Sequence, residues 1–254
     1  MNILLTNDDG IDSPFVRPLA KALSKVGKVT IATPAYEQSW IGKGMSRFKD
    51  VELKQLQGYD NTCYTLSGTP GDCVNIAIGH LLDERPDWVV SGINIGHNSG
   101  LAFVAASGTV AGAMEACLHG IPSIAASMYL PPEVFNLIKD DKSSPLTEET
   151  IRFIDQACEY LARFVKDTPT SDSYGRVNNF NFPYTNLEQA ETRRTVVGHT
   201  MTNSLFARQG DTFTFDYKDV TERPNQNYSD RQCIMDGNIS LTHLDYCNIS
   251  KTEA

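Results

Sequence analysis

Short apolar runs alternate with helix-like patterns along the first half of the chain. Residues 2–6 and 29–33 are continuous runs of apolar and β-branched residues, with the length of strands that are buried on both faces. Between these runs, apolar residues recur at helical spacing as far as Gly27, a typical helix-ending residue. The order of strand, helix and strand is typical of a parallel βαβ unit.

The same alternation continues over the next part of the chain. A polar loop leads into two predicted short strands near 48–54 and 62–66, which we expect to pair beside the main sheet. Thr69, Pro70 and Asp72 then form a helix start, with a capping threonine, a proline at the first helical position and an acid three residues after the cap. The elements predicted after this start are a helix to about residue 82, a strand at 88–91, a glycine-bearing loop at 93–103, a helix at 107–118 closed at Gly120, and a strand at 123–127.

The pattern of apolar and polar residues is less regular in the second half of the chain. An amphipathic helix is predicted at 148–166 and a strand at 178–182, while later strand candidates are short, at 212–217 and 238–244. These patterns predict a doubly wound, mostly parallel, Rossmann-like α/β sheet with helices on both faces. The predicted organisation is a single domain over 1–254, with a core at 1–185 and an extended C-terminal segment at 186–254.

Composition and charge exclude several classes of protein. The chain of 254 residues has a formal net charge of −9, which disfavours a protein that holds DNA or RNA by its phosphates. No apolar run approaches the ~20 residues that cross a bilayer, so we expect no membrane span. The N-terminus lacks the basic and apolar pattern of a secretory signal, and we expect a cytoplasmic protein.

The cysteines show no metal-binding or redox spacing. None of them forms a C-x-x-C pair, and three lie in apolar helical patterns where a free thiol packs as a small hydrophobe. We therefore predict reduced, structural cysteines and no zinc ligands at Cys63, Cys73, Cys117, Cys158, Cys233 and Cys247.

Two adjacent acids follow the first predicted strand. Asp8 and Asp9 stand between that strand and Gly10, and neighbouring carboxylates repel each other unless solvent or a cation separates their charges. A divalent ion bound by oxygens is one interpretation. The other is a solvated turn, because Asn and Asp hydrogen-bond their own backbone in turns. The pair alone leaves both interpretations open.

Other oxygen-bearing side chains are expected at the same edge of the sheet. Open parallel sheets bind ligands beyond the carboxyl ends of their strands. Ser39 follows the second strand and Asn94 follows the strand at 88–91, so both should meet Asp8 and Asp9 there. Four oxygen ligands without His or Cys suit Mg²⁺, Mn²⁺ or Ca²⁺.

The helix that begins at Ser107, Gly108 and Thr109 leaves the same edge of the sheet. Its free N–H groups and its dipole favour a bound anion, and a metal beside such a cradle indicates phosphoryl chemistry. Each residue also has a purely structural interpretation. Taken singly, Ser107 is an N-cap, Ser39 a loop serine, Lys43 a solvated lysine or a phosphate contact, His97 a surface residue, and Asn94 and Asn98 are left-handed loop positions.

Four motifs resemble, in order, the signatures of the SurE (stationary-phase survival) nucleotidases. They are MNILLTNDDGI at 1–11, GTPGDCV at 68–74, SGINIGHNSG at 91–100 and SGTV at 107–110. Weaker similarity continues at 121–125, 179–183 and 239–242, so the resemblance spans most of the chain.

The resemblance implies a divalent-metal phosphohydrolase that releases phosphate from nucleoside 5′- and 3′-monophosphates, and in some members from short polyphosphate. It places one metal ion, Mg²⁺ or Mn²⁺, on Asp8, Asp9, Ser39 and Asn94, with catalysis assigned to Asp8 and Asp9. It places the phosphate on Ser107, Gly108 and Thr109, with Asn98 nearby. It also implies a homodimer or homotetramer that exchanges C-terminal segments.

Two residues depart from the family pattern. Ala106 stands where Tyr or His is usual and Trp40 where a small residue is usual, which bears on substrate preference and rate. The alternative is a catalytically weakened member that binds nucleotides or serves as a structural oligomer. A phosphatase of the haloacid-dehalogenase type is disfavoured because Asn7 stands where it needs a nucleophilic acid. A dinucleotide-binding module is disfavoured because the first turn lacks G-x-G-x-x-G.

Overall fold

The structure is a computed structural model that describes residues 1–140, 145–217, 220–223 and 227–248. Strands β1 to β13 are, in order, Asn2–Thr6, Lys28–Pro34, Leu53–Leu56, Thr62–Leu66, Trp88–Ile95, Ser123–Met128, Arg176–Phe182, Thr192–Thr195, Thr200–Met201, Phe206–Gln209, Thr212–Phe215, Thr221–Glu222 and Ile239–Asp245. Helices α1 to α7 are, in order, Val16–Leu23, Pro70–Ile76, Leu101–Ala106, Gly108–Leu118, Pro132–Asp140, Glu148–Asp167 and Asp230–Met235. A π-helical turn at Ala77–Leu81 extends α2.

Nine of the described strands form one sheet, in the order β3-β4-β2-β1-β5-β6-β7-β13-β8. The strands from β4 to β7 in this order are parallel to one another. β3 pairs antiparallel with β4, β13 pairs antiparallel with β7, and β8 runs parallel to β13. The predicted doubly wound, mostly parallel sheet is confirmed, and so is the hairpin of β3 and β4 at its edge.

Helices cover both faces of the sheet because alternate residues of each strand point to opposite sides. Ile3 and Leu5 of β1 belong to one core cluster, which also contains residues of α1 and α6. Leu4 belongs to a second cluster, with residues of α2 and α4. No helix in the described ranges is both long enough and apolar enough to span a membrane.

The start of α2 forms as predicted. The N–H of Asp72 donates to Oγ1 of Thr69 at 3.2 Å, and the N–H of Thr69 donates to Oδ2 of Asp72 at 2.9 Å. Pro70 occupies the first helical position, where its missing N–H costs no hydrogen bond. This reciprocal capping fixes where the chain turns from β4 into the helix.

The limits predicted for the loop at 93–103 are wrong at both ends. β5 continues to Ile95, and α3 already begins at Leu101. A Cβ on Gly92 would lie 2.3 Å from the carbonyl oxygen of Ala126, so β5 keeps its place beside β6 only with glycine there. The glycines that indicated a loop therefore include one that allows two strands to approach closely.

Other boundaries also differ from the prediction. α1 ends at Leu23, and a turn in which the N–H of Gly27 donates to the oxygen of Leu23 at 3.1 Å fills the remaining residues. β3 lies a few residues later than the predicted strand at 48–54. The sequence analysis predicted no element at α3, α5, α7, β8, β9, β10 and β12, all of which are short.

The C-terminal part of the chain contributes to the main sheet. β13 lies between β7 and β8, so the division predicted at residue 185 does not coincide with an edge of the sheet. β10 and β11 form a separate antiparallel hairpin, and β9 pairs with β12. The strands predicted at 178–182, 212–217 and 238–244 correspond to β7, β11 and β13. The assignment of 1–254 to a single domain stays a prediction.

The described cysteines agree with the prediction of reduced, structural thiols. They are free and buried, at Cys63, Cys73, Cys117, Cys158 and Cys233. The side chain of Cys247 lies outside the described part of the chain.

Candidate active site

The paired acids lie where the strand order of the sheet reverses. β1 has β2 on one side and β5 on the other, and Asp8 and Asp9 follow β1 directly. An open α/β sheet has its ligand crevice at such a switch point. The two acids are only 3% and 4% exposed. The carboxylates are therefore not solvated, but the predicted turn is present: the side-chain nitrogen of Asn7 donates to the oxygen of Gly10 at 2.8 Å, and the N–H of Gly10 donates to Oδ1 of Asn7 at 3.2 Å.

Helix α4 begins against Asp8. Oγ1 of Thr109 donates a hydrogen bond to Oδ1 of Asp8 at 2.6 Å. A Cβ on Gly108 would lie 2.8 Å from Cβ and 2.9 Å from Oδ2 of Asp8, so this close approach requires glycine. Burial and then the charge of Asp9 raise the pKa of Asp8 to about 7, although the hydrogen bonds from Thr109 oppose the shift. The positive end of the α4 dipole thus faces a carboxyl group.

Asp9 is held from two sides. Its Oδ2 accepts a hydrogen bond from the backbone N–H of Ile95 at 2.9 Å, and its Oδ1 lies 2.8 Å from Nζ of Lys139. Burial raises the pKa of Asp9, and the charge of Lys139 offsets this only in part. Burial lowers the pKa of Lys139, but Asp9 and Glu37 raise it by more, so the lysine stays charged. An ammonium group therefore lies beside the acid pair.

Ser39 lies on the loop that follows β2. The N–H of Gln38 donates to the backbone oxygen of Asp8 at 2.7 Å, which ties this loop to the acid pair. The hydroxyl of Ser39 donates to Oε1 of Glu37 at 2.5 Å. The same oxygen accepts a hydrogen bond from Nζ of Lys139 at 2.9 Å. Ser39 is thus joined to the acid pair through two charged side chains.

Asn94 lies on an irregular part of β5. The register between β5 and β6 shifts between Ser91 and Asn94, which places Asn94 opposite Ser127. Its side-chain nitrogen donates to the backbone oxygen of Gly96 at 2.7 Å. The amide oxygen, the atom that coordinates hard cations, takes no part in that bond. Asn94 directly precedes Ile95, whose backbone N–H donates to Asp9, so the backbone at Asn94 lies beside the acid pair.

Asn98 belongs to a buried amide network. Its side-chain nitrogen donates to Oγ of Ser127 at 2.8 Å. Its backbone oxygen accepts hydrogen bonds from the side chains of Asn179 at 3.1 Å and Asn181 at 3.2 Å. These contacts give Asn98 a structural role, and its predicted contact with phosphate stays a prediction.

Ser107 caps α4. Its Oγ accepts a hydrogen bond from the N–H of Val110 at 3.0 Å, as expected for an N-cap. That bond leaves the hydroxyl hydrogen available as a donor to an anion. The backbone oxygen of Ala106 accepts a hydrogen bond from the N–H of Gly42 at 2.8 Å, which holds the loop after β2 near the start of the helix.

The structure pairs Lys43 with a buried acid. Its Nζ lies 2.6 Å from Oε2 of Glu115 in α4, a side chain that is only 8% exposed. Asn75 of α2 donates to Oε1 of the same carboxylate at 2.7 Å. The interpretation of Lys43 as a solvated lysine is therefore wrong. Its ion pair anchors the loop that carries Ser39.

His97 is half-buried among aromatic rings, so its interpretation as a surface residue is wrong. The centroid of its ring lies 5.0 Å from that of Phe103 and 6.0 Å from that of Tyr129. Its Nδ1 is 2.9 Å from Oγ of Ser99. Burial, together with the charge of Arg231, lowers the pKa of His97 to about 4. The imidazole is therefore neutral at neutral pH and is not a ready proton donor.

The C-terminal segment completes the loop that carries Asn98. Asp230 at the start of α7 is fully buried. Its two carboxylate oxygens accept hydrogen bonds from the N–H groups of Gly100 and Gly198, both at 2.9 Å. Its Oδ1 also accepts one from the N–H of Arg231 at 2.8 Å. One carboxylate thus connects this loop to two parts of the C-terminal segment.

Glu37 and Lys139 were not among the predicted site residues. A signal for α5 exists, because Pro132 precedes Val134 and Ile138 at helical spacing. No local pattern, however, shows that Lys139 meets Asp9, which lies 130 residues earlier in the chain.

The donor set at this edge fits a hard divalent cation. Two buried carboxylates, a hydroxyl and an amide oxygen come from Asp8, Asp9, Ser39 and Asn94, and these are the oxygen ligands that Mg²⁺ and Mn²⁺ prefer. Among the described residues, no group of three or more His, Cys, Asp and Glu side chains is placed to hold a metal. An ion at the acid pair would therefore need the hydroxyl and amide oxygens as well.

The fold and the site define a doubly wound α/β protein with an acidic, oxygen-donor site at its switch point. The family model described as survival protein SurE matches residues 3–208. The chain belongs to the SurE family.

Individual relatives agree with this family. Over 251 aligned residues, the chain is 34% identical to the 5'-nucleotidase SurE of Halobacterium salinarum, with 95% of this chain and 90% of that protein covered. It is 45% identical over 130 residues to the 5'-nucleotidase SurE of Moorella thermoacetica, and this alignment covers 50% of each chain. The alignment with the 5'-nucleotidase SurE of Thermosipho africanus, 46% identical, likewise covers about half of that protein.

A solved structure shares the fold. The crystal structure of the SurE protein from Aquifex aeolicus superposes with a TM-score of 0.74 at 26% sequence identity. The match covers 98% of this chain and 97% of the Aquifex chain. The extra antiparallel strands at the C-terminal side are therefore part of a fold that a relative also adopts.

Proposed function

We propose that this protein is a divalent-metal-dependent phosphomonoesterase that hydrolyses nucleoside 5′-monophosphates to nucleoside and phosphate. The observation that carries the proposal is the buried Asp8–Asp9 pair at the switch point, packed against the first turn of α4. The name 5'-nucleotidase SurE, shared by the Halobacterium and Moorella relatives, supports the substrate class. Activity on 3′-monophosphates and short polyphosphate is proposed from the family resemblance alone.

The proposed cofactor is one Mg²⁺ or Mn²⁺ ion, held by Asp8, Asp9, Ser39 and Asn94. When bound, such an ion supplies charge neutralisation at the phosphate and lowers the pKa of a bound water. The chain's own residues prepare the site. Thr109 orients the carboxylate of Asp8 through its hydroxyl, and the N–H of Ile95 orients that of Asp9. Burial shields both acids from bulk solvent, which strengthens the charge interactions there.

The start of α4 is the proposed phosphate site. The N-terminal N–H groups of a helix and its dipole favour an anion. Ser107 retains a hydroxyl hydrogen to donate to a phosphate oxygen, because its cap bond uses the oxygen as acceptor. Asp8 or Asp9 is the proposed acceptor of the proton from the attacking water.

An aromatic group beside Ser39 supports a nucleoside as the leaving group. The ring centroid of Trp40 lies 5.7 Å from that of Phe103, 5.3 Å from that of Phe215 and 6.3 Å from that of Tyr217. Trp40 is 37% exposed, so part of its ring surface is accessible for a base to stack on. The departure from the family pattern at Trp40 thus fits a role in base contact.

A homodimer or homotetramer formed through residues 186–254 is also proposed. The β10–β11 hairpin exposes the rings of Phe206, Phe213 and Phe215. Exposed apolar rings such as these favour burial in an interface. Size-exclusion chromatography with light scattering would test this, since a monomer at micromolar concentration contradicts it. A cytoplasmic location stays a prediction.

The test of the function is phosphate release from a panel of substrates. The panel contains 5′- and 3′-monophosphates of each base, ribose 5-phosphate and short polyphosphate, each assayed after EDTA treatment and after adding back Mg²⁺ or Mn²⁺. We expect 5′-monophosphates to be hydrolysed, EDTA to abolish release, and one of the two metals to restore it.

Two results would contradict the proposal. Release that persists in EDTA excludes the metal mechanism. Tight binding of nucleotides without phosphate release, under every metal condition, favours the catalytically weakened member that Ala106 and Trp40 raised as the alternative.

A further inference from the structure

Lys139 contacts the acid pair from α5, a helix that lies outside the four sequence motifs. It lies near the end of α5, and its Nζ is 2.8 Å from Oδ1 of Asp9 and 2.9 Å from Oε1 of Glu37. The side chain of Lys139 is 17% exposed, and that of Asp9 is 1% exposed. Ordering a long lysine side chain costs conformational entropy, which the contacts with Asp9 and Glu37 must offset.

We propose that Lys139 is a positioning residue that acts as an internal counter-cation: it holds Asp9 in the metal-free protein and competes with the divalent metal for it. The inference rests on the proposed metal site. Its consequence is that the lysine sets how tightly the site binds metal.

The competition follows from how the oxygens of Asp9 are used. Oδ2 accepts the N–H of Ile95, and Oδ1 accepts Nζ of Lys139. A cation that binds through Oδ1 meets an ammonium group at hydrogen-bond distance. Two positive charges at such a separation, in a site shielded from water, repel each other strongly. The lysine must therefore move aside before the metal binds at full strength.

Glu37 is an alternative partner for the ammonium group of Lys139. Its Oε1 accepts hydrogen bonds from Lys139 and from the hydroxyl of Ser39, so it links two of the groups around the proposed site. The Glu37 side chain is 39% exposed and lies at the rim. A metal that takes Asp9 and Ser39 leaves Lys139 and Glu37 as partners for each other. The ammonium charge of Lys139 is then neutralised by the carboxylate of Glu37.

The test measures Mn²⁺ affinity by calorimetry on chelator-stripped protein, for the wild type and four variants. Lys139→Met removes the competing charge and should bind Mn²⁺ about tenfold more tightly. Lys139→Arg keeps the charge and should stay close to the wild type. Glu37→Gln removes a negative charge and the lysine's second partner, so it should bind Mn²⁺ more weakly. Lys166→Met changes an exposed lysine at the end of α6 and should leave the affinity unchanged.

Thermal unfolding supplies a second readout. Without metal, Lys139→Met should have a lower melting temperature than the wild type, because the acid pair loses its counter-cation. With saturating Mn²⁺, the two proteins should have the same melting temperature. A lysine that only supported the structure would lower the melting temperature equally in both states, and this result overturns the proposal.

Three further results separate the outcomes. Equal Mn²⁺ affinity in wild type and Lys139→Met overturns the competition but leaves the proposed function standing. Unchanged Mn²⁺ affinity with a raised KM would make Lys139 a phosphate ligand, and it also overturns the competition. No Mn²⁺ binding in any of the proteins overturns the metal site itself, and the present proposal with it.

Discussion

Thr109 donates its hydroxyl hydrogen to Asp8 across 2.6 Å, and this bond joins the first turn of α4 to the residue that follows the central strand. We expect Thr109→Val, which keeps the shape and removes the donor, to lower kcat about 10- to 100-fold by freeing the Asp8 carboxylate to rotate. Thr109→Ser keeps the hydroxyl and should retain most of the activity. Steady-state phosphate release measures both, and equal loss in the two variants would refute the role of the hydroxyl.

Asp9→Asn should abolish turnover without unfolding the protein. The change removes a charge from the proposed metal site, and we expect kcat to fall by at least about 100-fold. The amide keeps the size of the side chain, so circular dichroism should show a folded protein. Asp12→Asn alters an exposed acid three residues along the chain and serves as the matched control. Activity retained in Asp9→Asn would count against the assignment.

Gly108→Ala tests the close approach of α4 to the acid pair. The new Cβ would lie 2.8 Å from Cβ of Asp8 and 3.0 Å from the backbone oxygen of Gln38, so the start of the helix must shift. We expect the free energy of unfolding to fall by about 1–3 kcal/mol, with a loss of phosphate release.

Gly79→Ala is the matched control for that substitution. Gly79 is also helical, but a Cβ placed on it would meet no atom of the described residues within 4 Å apart from its chain neighbours and its own helix backbone. Alanine restricts the conformations of the unfolded chain, so the free energy of unfolding should stay unchanged or rise by about 0.4–1 kcal/mol. Urea denaturation compares the two variants, and equal effects would mean that the contact with Asp8 is unimportant.

Metal affinity should depend on pH through Asp8. Burial raises the pKa of Asp8 from 3.8 to about 7, so below that pH a metal must displace a proton. Affinity for Mn²⁺ should therefore rise about tenfold per pH unit up to pH about 7 and then level off. In the metal-free protein, the same shift means that ionising Asp8 disfavours the folded state as pH rises through this range. Calorimetry between pH 5.5 and 8 measures the affinity, and a flat profile would contradict the shift.

Lys43→Met should loosen the loop that carries Ser39. The change leaves Glu115 buried without its charged partner, and we expect a loss of about 1–3 kcal/mol in the free energy of unfolding. The pKa of Glu115 is pushed up by burial but lies below its ordinary value because Lys43, Asn75 and His119 stabilise the charge. Lys54→Met, at an exposed position of β3, is the control. Urea denaturation that shows equal stability in both variants would argue against the anchor.

Local patterns were sufficient to predict much of the fold. The apolar run of β1, the capping residues of α2 and the glycine that ends α4 each act over a few residues, and the structure places them as expected. The parallel order of the strands followed from their alternation with helices. The acid pair was recognisable at the end of a predicted strand, but by itself it left a metal site and a turn equally open.

Contacts between distant residues could not be predicted in the same way. Lys139 meets Asp9 only because β6 and α5 carry the chain back across the switch point. Lys43 shows no local sign of pairing with the buried Glu115. The glycines at 92–100 look alike in the sequence, yet Gly92 lies within a strand and Gly100 precedes a helix. Their roles depend on what packs against them.

Asp230 gives this chain an order of assembly. The acids at residues 8 and 9 leave the ribosome early, but the loop around Gly100 gains its carboxylate partner only when residue 230 has emerged. A nascent chain that lacks residue 230 would therefore carry the paired acids beside a loop in which the N–H of Gly100 has no carboxylate to bind. Synthesis of α7, and not formation of the central sheet alone, allows this loop to take its final place.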